Sequence, residues 1–237
     1  MTNKYAIVII IIASRSLLYD EFTRKYWIPF LNYINNKNIN IHIIFMFGNN
    51  TSITDLNIPK ENVYISNIEE SYIPGILVKT IETMEYVNKN FVYKHILRTN
   101  LSSFFILDNL LKTSYSLPDR NLYAGVVGKQ IEKNILFASG AAFWMSKDIV
   151  KKVITSKHNI NYNLIDDVAI GNLLNSVTIT PVPRFIWDKD ILYNDIEKSI
   201  ILNEIIDDNH YHIRIKNIDN KINIDIVNFC TSKLYVL

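Results

Sequence analysis

Cysteine is nearly absent from this sequence: Cys230 is the only one in 237 residues, so no disulfide can form within the chain. Long apolar runs are missing as well. The stretch Ala6–Ala13 is far shorter than the roughly 20 residues of a spanning helix. It also lacks the basic leader and small-residue cleavage site of a signal peptide. With a lone thiol and no targeting segment, a reducing, cytoplasmic setting is expected. No charge of one sign dominates. The formal net charge is +2 and the basic residues are scattered, which excludes a nucleic-acid partner recognised by bulk electrostatics. His42, His95, His158, His210, His212 and Cys230 follow no zinc-ligand spacing. There is no Walker A loop, no G-x-G-x-x-G and no G-x-S-x-G, so nucleotide hydrolysis, dinucleotide redox chemistry and a serine hydrolase lack support. Repeats, linkers and low-complexity segments are absent beyond a general Ile/Asn bias.

What is present is apolar residue in quantity, 49% of the chain, enough for one α/β domain with a sizeable core. Isoleucine and valine dominate Tyr5–Ile12, the pattern of a strand buried on both faces. A polar turn, Ser14-Arg15-Ser16, follows it. Leu18, Phe22 and Tyr26 recur at helical spacing up to Pro29, where a kink or restart is predicted. Further strands are predicted at Ile39–Phe47, Asn62–Ile65 and Tyr93–Thr99, with a helix through Leu77, Ile81 and Met84 before the last. This β/α alternation predicts a mostly parallel sheet flanked by helices. The second half reads as mixed. It carries a short helix ending near Thr113, strands at Asn121–Val127 and Ala141–Met145, and a helix after Ser146 as N-cap. The Ala141–Met145 strand is entered through a Ser139-Gly140 turn. A further helix follows Asp166 and Asp167, and a terminal strand is predicted over His210–Lys216.

Four segments carry the chemistry. They are Glu70-Ser71-Tyr72-x-x-Gly75-x-Leu77-x-Lys79-Thr80, Leu97-Arg98-Thr99-Asn100-Leu101-Ser102-Ser103-Phe104, Ser139-Gly140-Ala141-Ala142-Phe143-Trp144-Met145-Ser146, and Ile165-Asp166-Asp167-Val168-Ala169-Ile170-Gly171. In order and spacing they resemble E-x-Y-x-N-L-x-x-K-T, K-T-D-D-D-x-F, G-x-G-Y-x-L-S and E-D-V-x-x-G of the β-1,3-galactosyltransferase and fringe family, which belongs to the GT-A glycosyltransferases. The likeness runs from about Tyr5 to Leu174. It implies a single GT-A domain over 1–237, with a nucleotide-sugar half to about 105 and an acceptor half beyond. It also implies an inverting transfer from a nucleoside diphosphate sugar to a hydroxyl of a glycan or glycoprotein, as in polysaccharide biosynthesis.

The departure is in the second segment. Where the family's aspartate cluster binds a divalent metal, this chain has Asn100, Leu101 and Ser102. The D-x-D motif is therefore degenerate, and manganese or magnesium dependence does not carry over: neutral oxygens bind hard cations weakly. A residual metal site would be left with Asn100, Ser102 and the terminal His212. Without a metal, the departing diphosphate needs fixed cations. The candidates are Arg98, Lys79 and the alternating His210, His212, Arg214 and Lys216, which on a strand share one face. A solvated strand of alternating polarity fits the same four. In the fourth segment the resemblance implies Asp167 as the base that deprotonates the acceptor hydroxyl, with Asp166 beside it. Helix capping explains one of the two aspartates well, though not the spacing to Gly171. Gly140 and Trp144 fall beside the implied acceptor site, where Trp144 is either a sugar platform or core. Trp187 is expected to be the more exposed platform. Ser14, Arg15 and Thr99 lie at strand ends where doubly wound folds bind nucleotides. The missing carboxylates leave a second reading open: an inactive GT-A fold that binds carbohydrate or acts as a scaffold.

Overall fold

The computed structural model describes residues 4–187, 193–215 and 223–235. The chain forms two compact units, each drawn from separated segments. The first takes residues up to Ser14, Asn40–Asn100 and Leu117–Val182; the second takes Arg15–Ile39, Leu101–Ser116 and the residues from Pro183 on. The division is therefore not a single cut near residue 105.

The first unit is built on a seven-stranded sheet. Its strands are β1 (Lys4–Ile12), β2 (Ile41–Phe47), β3 (Val63–Ile65), β4 (Val92–Asn100), β6 (Tyr123–Gln130), β7 (Ile135–Ser146) and β8 (Ile179–Pro181). The order is β3-β2-β1-β4-β7-β6-β8. The first four run parallel, β7 is antiparallel to both β4 and β6, and β8 is parallel to β6. The sheet is mostly parallel, as the alternation predicts. The central strand explains why: Ile7 to Ile11 are all fully buried, and a strand without a polar face fits only inside such a sheet. On one face Val8, Ile10, Ile44, Met46, Ile96, Phe143 and Met145 form a core with α3 (Gly75–Asn90), α5 (Lys147–Thr155) and α6 (Asp166–Leu173). Each such side chain contributes about 1.5–3 kcal/mol on burial.

The second unit holds α1 (Leu17–Phe22), a π-helical turn (Thr23–Trp27), α2 (Ile28–Asn36), α4 (Leu107–Ser116), α7 (Asp195–Asp207) and α8 (Ile224–Leu234). Its three-stranded sheet has the order β5 (Ser103–Phe105), β10 (His212–Arg214), β9 (Phe185–Ile186). Aromatic stacking makes its core: the Tyr26 ring lies 4.2 Å from Phe104 and 5.3 Å from Phe30, centroid to centroid. The Tyr26 hydroxyl accepts the Phe105 amide, and Trp27 Nε1 donates to the Leu101 carbonyl.

The restart expected at Pro29 is found, with α2 beginning at Ile28 and the proline in its first turn. The π turn before it widens the coil where proline has no N–H and its ring would press on the preceding turn. Three other local expectations change. The β2–β3 connection has no α-helix, only two 3₁₀ turns around Pro59, so the alternation is less regular than predicted. Ser139-Gly140 is not a turn; β7 runs through it because β4 and β6 pair with that strand on either side, with a shift in register near Gly125. The terminal strand is only His212–Arg214. His210 sits in the turn after α7, with its amide donating to Ile205, and Lys216 lies outside the described residues.

Candidate active site

In the first unit, the carboxyl end of β4, the middle of β7 and the start of α6 bring four predicted residues together. Arg98 is 3% exposed. Alternation along β4 places it on the same face as Ile96, toward α6, with its guanidinium 5.4 Å from the Phe143 ring centroid. Nη1 donates to the Gly140 carbonyl and Nη2 pairs with Asp166 Oδ2. Asp167, half-buried, accepts the Gly140 amide at Oδ2 over 2.7 Å, and its Oδ1 takes the Val168 amide at 2.9 Å. Both aspartates stand in the first turn of α6, where a helix favours negative charge.

Two glycines set this geometry. A Cβ on Gly140 would lie 2.8 Å from Arg98 Nη1 and 2.9 Å from Asp167 Oδ2. One on Gly171 would lie 2.5 Å from the Leu136 carbonyl oxygen and 2.8 Å from Phe137 Cα. Gly171 thus lets α6 lie directly on β7, which accounts for its spacing from Asp167. Burial is the largest influence on the Asp166 carboxyl, lifting it to about 6; Arg98 pulls it down and Asp167 pushes it up. The Tyr72 phenol is raised first by partial burial, then by the charges of Asp167 and Asp166. Tyr72 is 67% exposed, so the carboxylates share their surroundings with an open aromatic ring.

Lys79 is not free for a phosphate. Its ammonium is buried, 2.7 Å from Glu70 Oε2 and 3.0 Å from the Ala13 carbonyl oxygen. Glu70 Oε1 in turn accepts the Gly48 amide at 2.6 Å. The first segment therefore ties the carboxyl ends of β1 and β2 together. Burial lowers the Lys79 pKa, against the attraction of Glu70. Ser14 follows directly on Ala13 and is half-buried. Thr99 Oγ1 donates to the Ala141 carbonyl, fastening β4 to β7. Trp144 is fully buried and edge-on to His95 at 6.0 Å, which makes it core rather than platform.

In the second unit, Arg15 forms a two-pronged ion pair with Asp20, at 2.8 and 2.9 Å, so its guanidinium fastens the start of α1. Trp187, expected to be exposed, is 2% exposed and packs edge-on against Phe185 and Tyr193. A tryptophan four residues after Pro183 looks like a loop residue in sequence, but its backbone amide donates to the Arg214 carbonyl and draws it inside. His212 is buried against Phe105, with ring centroids 5.2 Å apart. Burial first, then the charges of Arg184 and Arg214, lower its pKa well below the usual histidine range. It is neutral near pH 7 and adds no charge, contrary to the cationic role predicted for it. The His210 ring is edge-on to Phe185. Arg184 is the neighbour the sequence did not single out; about 30 residues separate it from Arg214, and no local pattern links them.

The residues that the resemblance aligns with a D-x-D motif do not fit a divalent cation. Asn100 ends β4 half-buried, Leu101 is 3% exposed and Ser102 is 2% exposed. One amide and one hydroxyl give no carboxylate oxygen to a hard ion. Among the described residues, no three His, Cys, Asp or Glu side chains gather as a metal would need. A cavity of about 530 Å³ is lined by Tyr123, Leu136, Gly171, Asn172 and Thr178 among others, but not by Arg98, Asp166 or Asp167.

Residues 127–184, about a quarter of the chain, match the family model described as Galactosyltransferase. That stretch contains Gly140, Asp166, Asp167 and Gly171. No curated protein matches the sequence significantly. Among solved structures, a glycosyltransferase involved in the glycosylation of the major capsid of PBCV-1 superposes with a TM-score of 0.54 at 12% identity, over 94% of this chain and 97% of that one. The catalytic domain of Drosophila β1,4-galactosyltransferase 7, solved with xylobiose, gives a TM-score of 0.44 at 10% identity over 76% of this chain. The match spans only 64% of that domain's length. The galactosyltransferase LgtC, solved with donor and acceptor sugar analogs, gives 0.47 at 10% identity, over 98% of this chain and 97% of that one. The fold is that of the GT-A glycosyltransferases, and the family match supports a glycosyltransferase. Among the described residues, no helix is long and apolar enough to cross a membrane.

Proposed function

We propose that this chain is a glycosyltransferase that moves a sugar, with inversion, from a nucleoside diphosphate sugar to a hydroxyl of a glycan or glycoprotein. The observation that carries this reading is the Asp167 carboxylate. It is half-buried, held by one oxygen on the Gly140 amide, and inside the segment that matches the galactosyltransferase model. A carboxylate so held can take the proton of the acceptor hydroxyl as that oxygen attacks the anomeric carbon. The bond from the anomeric carbon to the phosphate oxygen breaks as the new glycosidic bond forms, and the nucleoside diphosphate leaves. Its charge requires fixed donors. Arg98 and Lys79 are engaged in ion pairs with Asp166 and Glu70, so they are not assigned to that charge.

Transfer and nucleoside diphosphate release from a panel of UDP, GDP and dTDP sugars test the reading, each with manganese and with EDTA. Turnover in EDTA is expected, since the D-x-D positions offer no carboxylate. Asp167→Asn should lower kcat by about 10²–10⁴-fold, the range for loss of a general base, while donor binding persists. Full turnover in that variant removes Asp167 from the role. The missing D-x-D carboxylates favour one second reading, an inactive fold that binds carbohydrate. Glycan binding with no turnover on any donor would select it.

A further inference from the structure

The geometry points to Arg98 as a positioning residue that sets the Asp167 carboxylate, rather than as a ligand of the donor phosphates; this inference rests on the base assigned to Asp167 above. Arg98, Gly140, Asp166 and Asp167 form a closed circuit. The guanidinium donates from one terminal nitrogen to the Gly140 carbonyl and from the other to Asp166. Gly140 donates its own amide to Asp167 Oδ2, and Asp167 is joined to Asp166 through the backbone at the start of α6. Gly140 is thus held at its carbonyl by Arg98 while its amide holds the base.

Three features support positioning over phosphate binding. Arg98 is 3% exposed, and both terminal nitrogens are already committed. Turning the fork toward a phosphate would strip buried Asp166 of its counter-charge. Gly140 has no room for a side chain between Arg98 Nη1 and Asp167 Oδ2, so the circuit is closed tightly enough that movement of Arg98 is felt at the base. The planar fork also explains the residue type: two divergent acceptors suit arginine, whereas a lysine ammonium is a single point charge. A carboxylate held at one oxygen by the Gly140 amide and at the other by the Val168 amide has a fixed direction for accepting a proton, and misplacement of a reacting group by about 1 Å can cost on the order of 10²-fold in rate.

The test compares Arg98→Lys, Arg98→Gln and the double variant Arg98→Gln/Asp166→Asn with the wild-type chain. The double variant replaces the buried ion pair by two neutral amides, so it keeps the test valid if Arg98→Gln alone does not fold. Positioning predicts that kcat falls at least about tenfold in all three, with donor KM changed less than about threefold. In Arg98→Gln, where Asp166 is retained, the acid limb of the kcat profile should also move to higher pH, because a positive charge near the base is gone. A donor KM raised about tenfold or more at unchanged kcat would make Arg98 a donor ligand and overturn the inference. Wild-type kcat in a folded double variant would overturn it too, leaving the circuit purely structural. If the wild-type chain transfers from no donor, the parent reading fails and this inference goes with it, an outcome distinct from an active wild type with indifferent variants.

Discussion

At the scale of single residues, the two adjacent aspartates differ because their surroundings differ. Asp166 is buried against Arg98, and Asp167 reaches outward on the Gly140 amide. For Asp166, desolvation outweighs the attraction of the guanidinium and lifts the carboxyl from 3.8 to about 6. The folded state therefore binds this proton more tightly than the unfolded chain. The stability it contributes is full below about pH 4 and is lost as pH rises through about 6. Asp166→Asn removes that loss. Relative to the wild type, the variant should gain on the order of 1–3 kcal/mol between pH 4 and pH 7, read as the difference in urea-unfolding free energy at each pH. A constant difference across that window would mean that Asp166 does not titrate there. Lys79 carries the complementary lesson: a lysine spaced like a donor ligand in sequence is buried on Glu70 and the end of β1.

Among the secondary-structure elements, the contact of α6 with β7 matters most. It rests on Gly171, whose missing side chain lets the helix lie on Leu136 and Phe137. Gly171→Ala should cost roughly 1–3 kcal/mol, the usual range for overpacking, in chemical unfolding. It should also lower kcat, because a helix pushed off β7 carries Asp167 away from the Gly140 amide. Unchanged stability and rate in the alanine variant would show that the helix accommodates the methyl group. The strands β1, β2 and β4 and the helix α3 were legible in sequence because their burial is written in period: continuous isoleucine for the central strand, spacings of three and four for the helix. The extent of β7 was not legible. Ser139-Gly140 has the local chemistry of a turn, and pairing of its strand with the preceding β6 and with β4, further away in sequence, overrides it.

For the molecule as a whole, the two compact units are interleaved along the chain, so neither half is self-sufficient. A fragment of residues 1–105 would leave β4 without its neighbour β7, and the core face of the sheet without α5 and α6. It should therefore be unfolded, with broad, poorly dispersed amide resonances in NMR spectra. A cooperative unfolding transition in that fragment would overturn the division drawn here. The interleaving also explains why the candidate residues were harder to assign than the fold. The four motifs and their order were visible in one dimension, and the Asp166-Asp167 pair with its glycine four residues on marked the candidate site. Arg184 beside His212, and the enclosure of Trp187, depend on strands β9 and β10 meeting from distant parts of the chain.

The sequence by itself determined the α/β architecture, the parallel half of the sheet and the segment in which the carboxylates lie, because these follow from hydrophobic period and from residues close together along the chain. Only the tertiary structure decided what each polar side chain does. Whether Arg98, Lys79 and Arg15 were open to a ligand or closed into ion pairs, and whether His212 carries charge, depended on burial and on partners brought in by the fold. Desolvation and hydrogen-bond geometry are properties of the packed state, and no spacing along the chain encodes them.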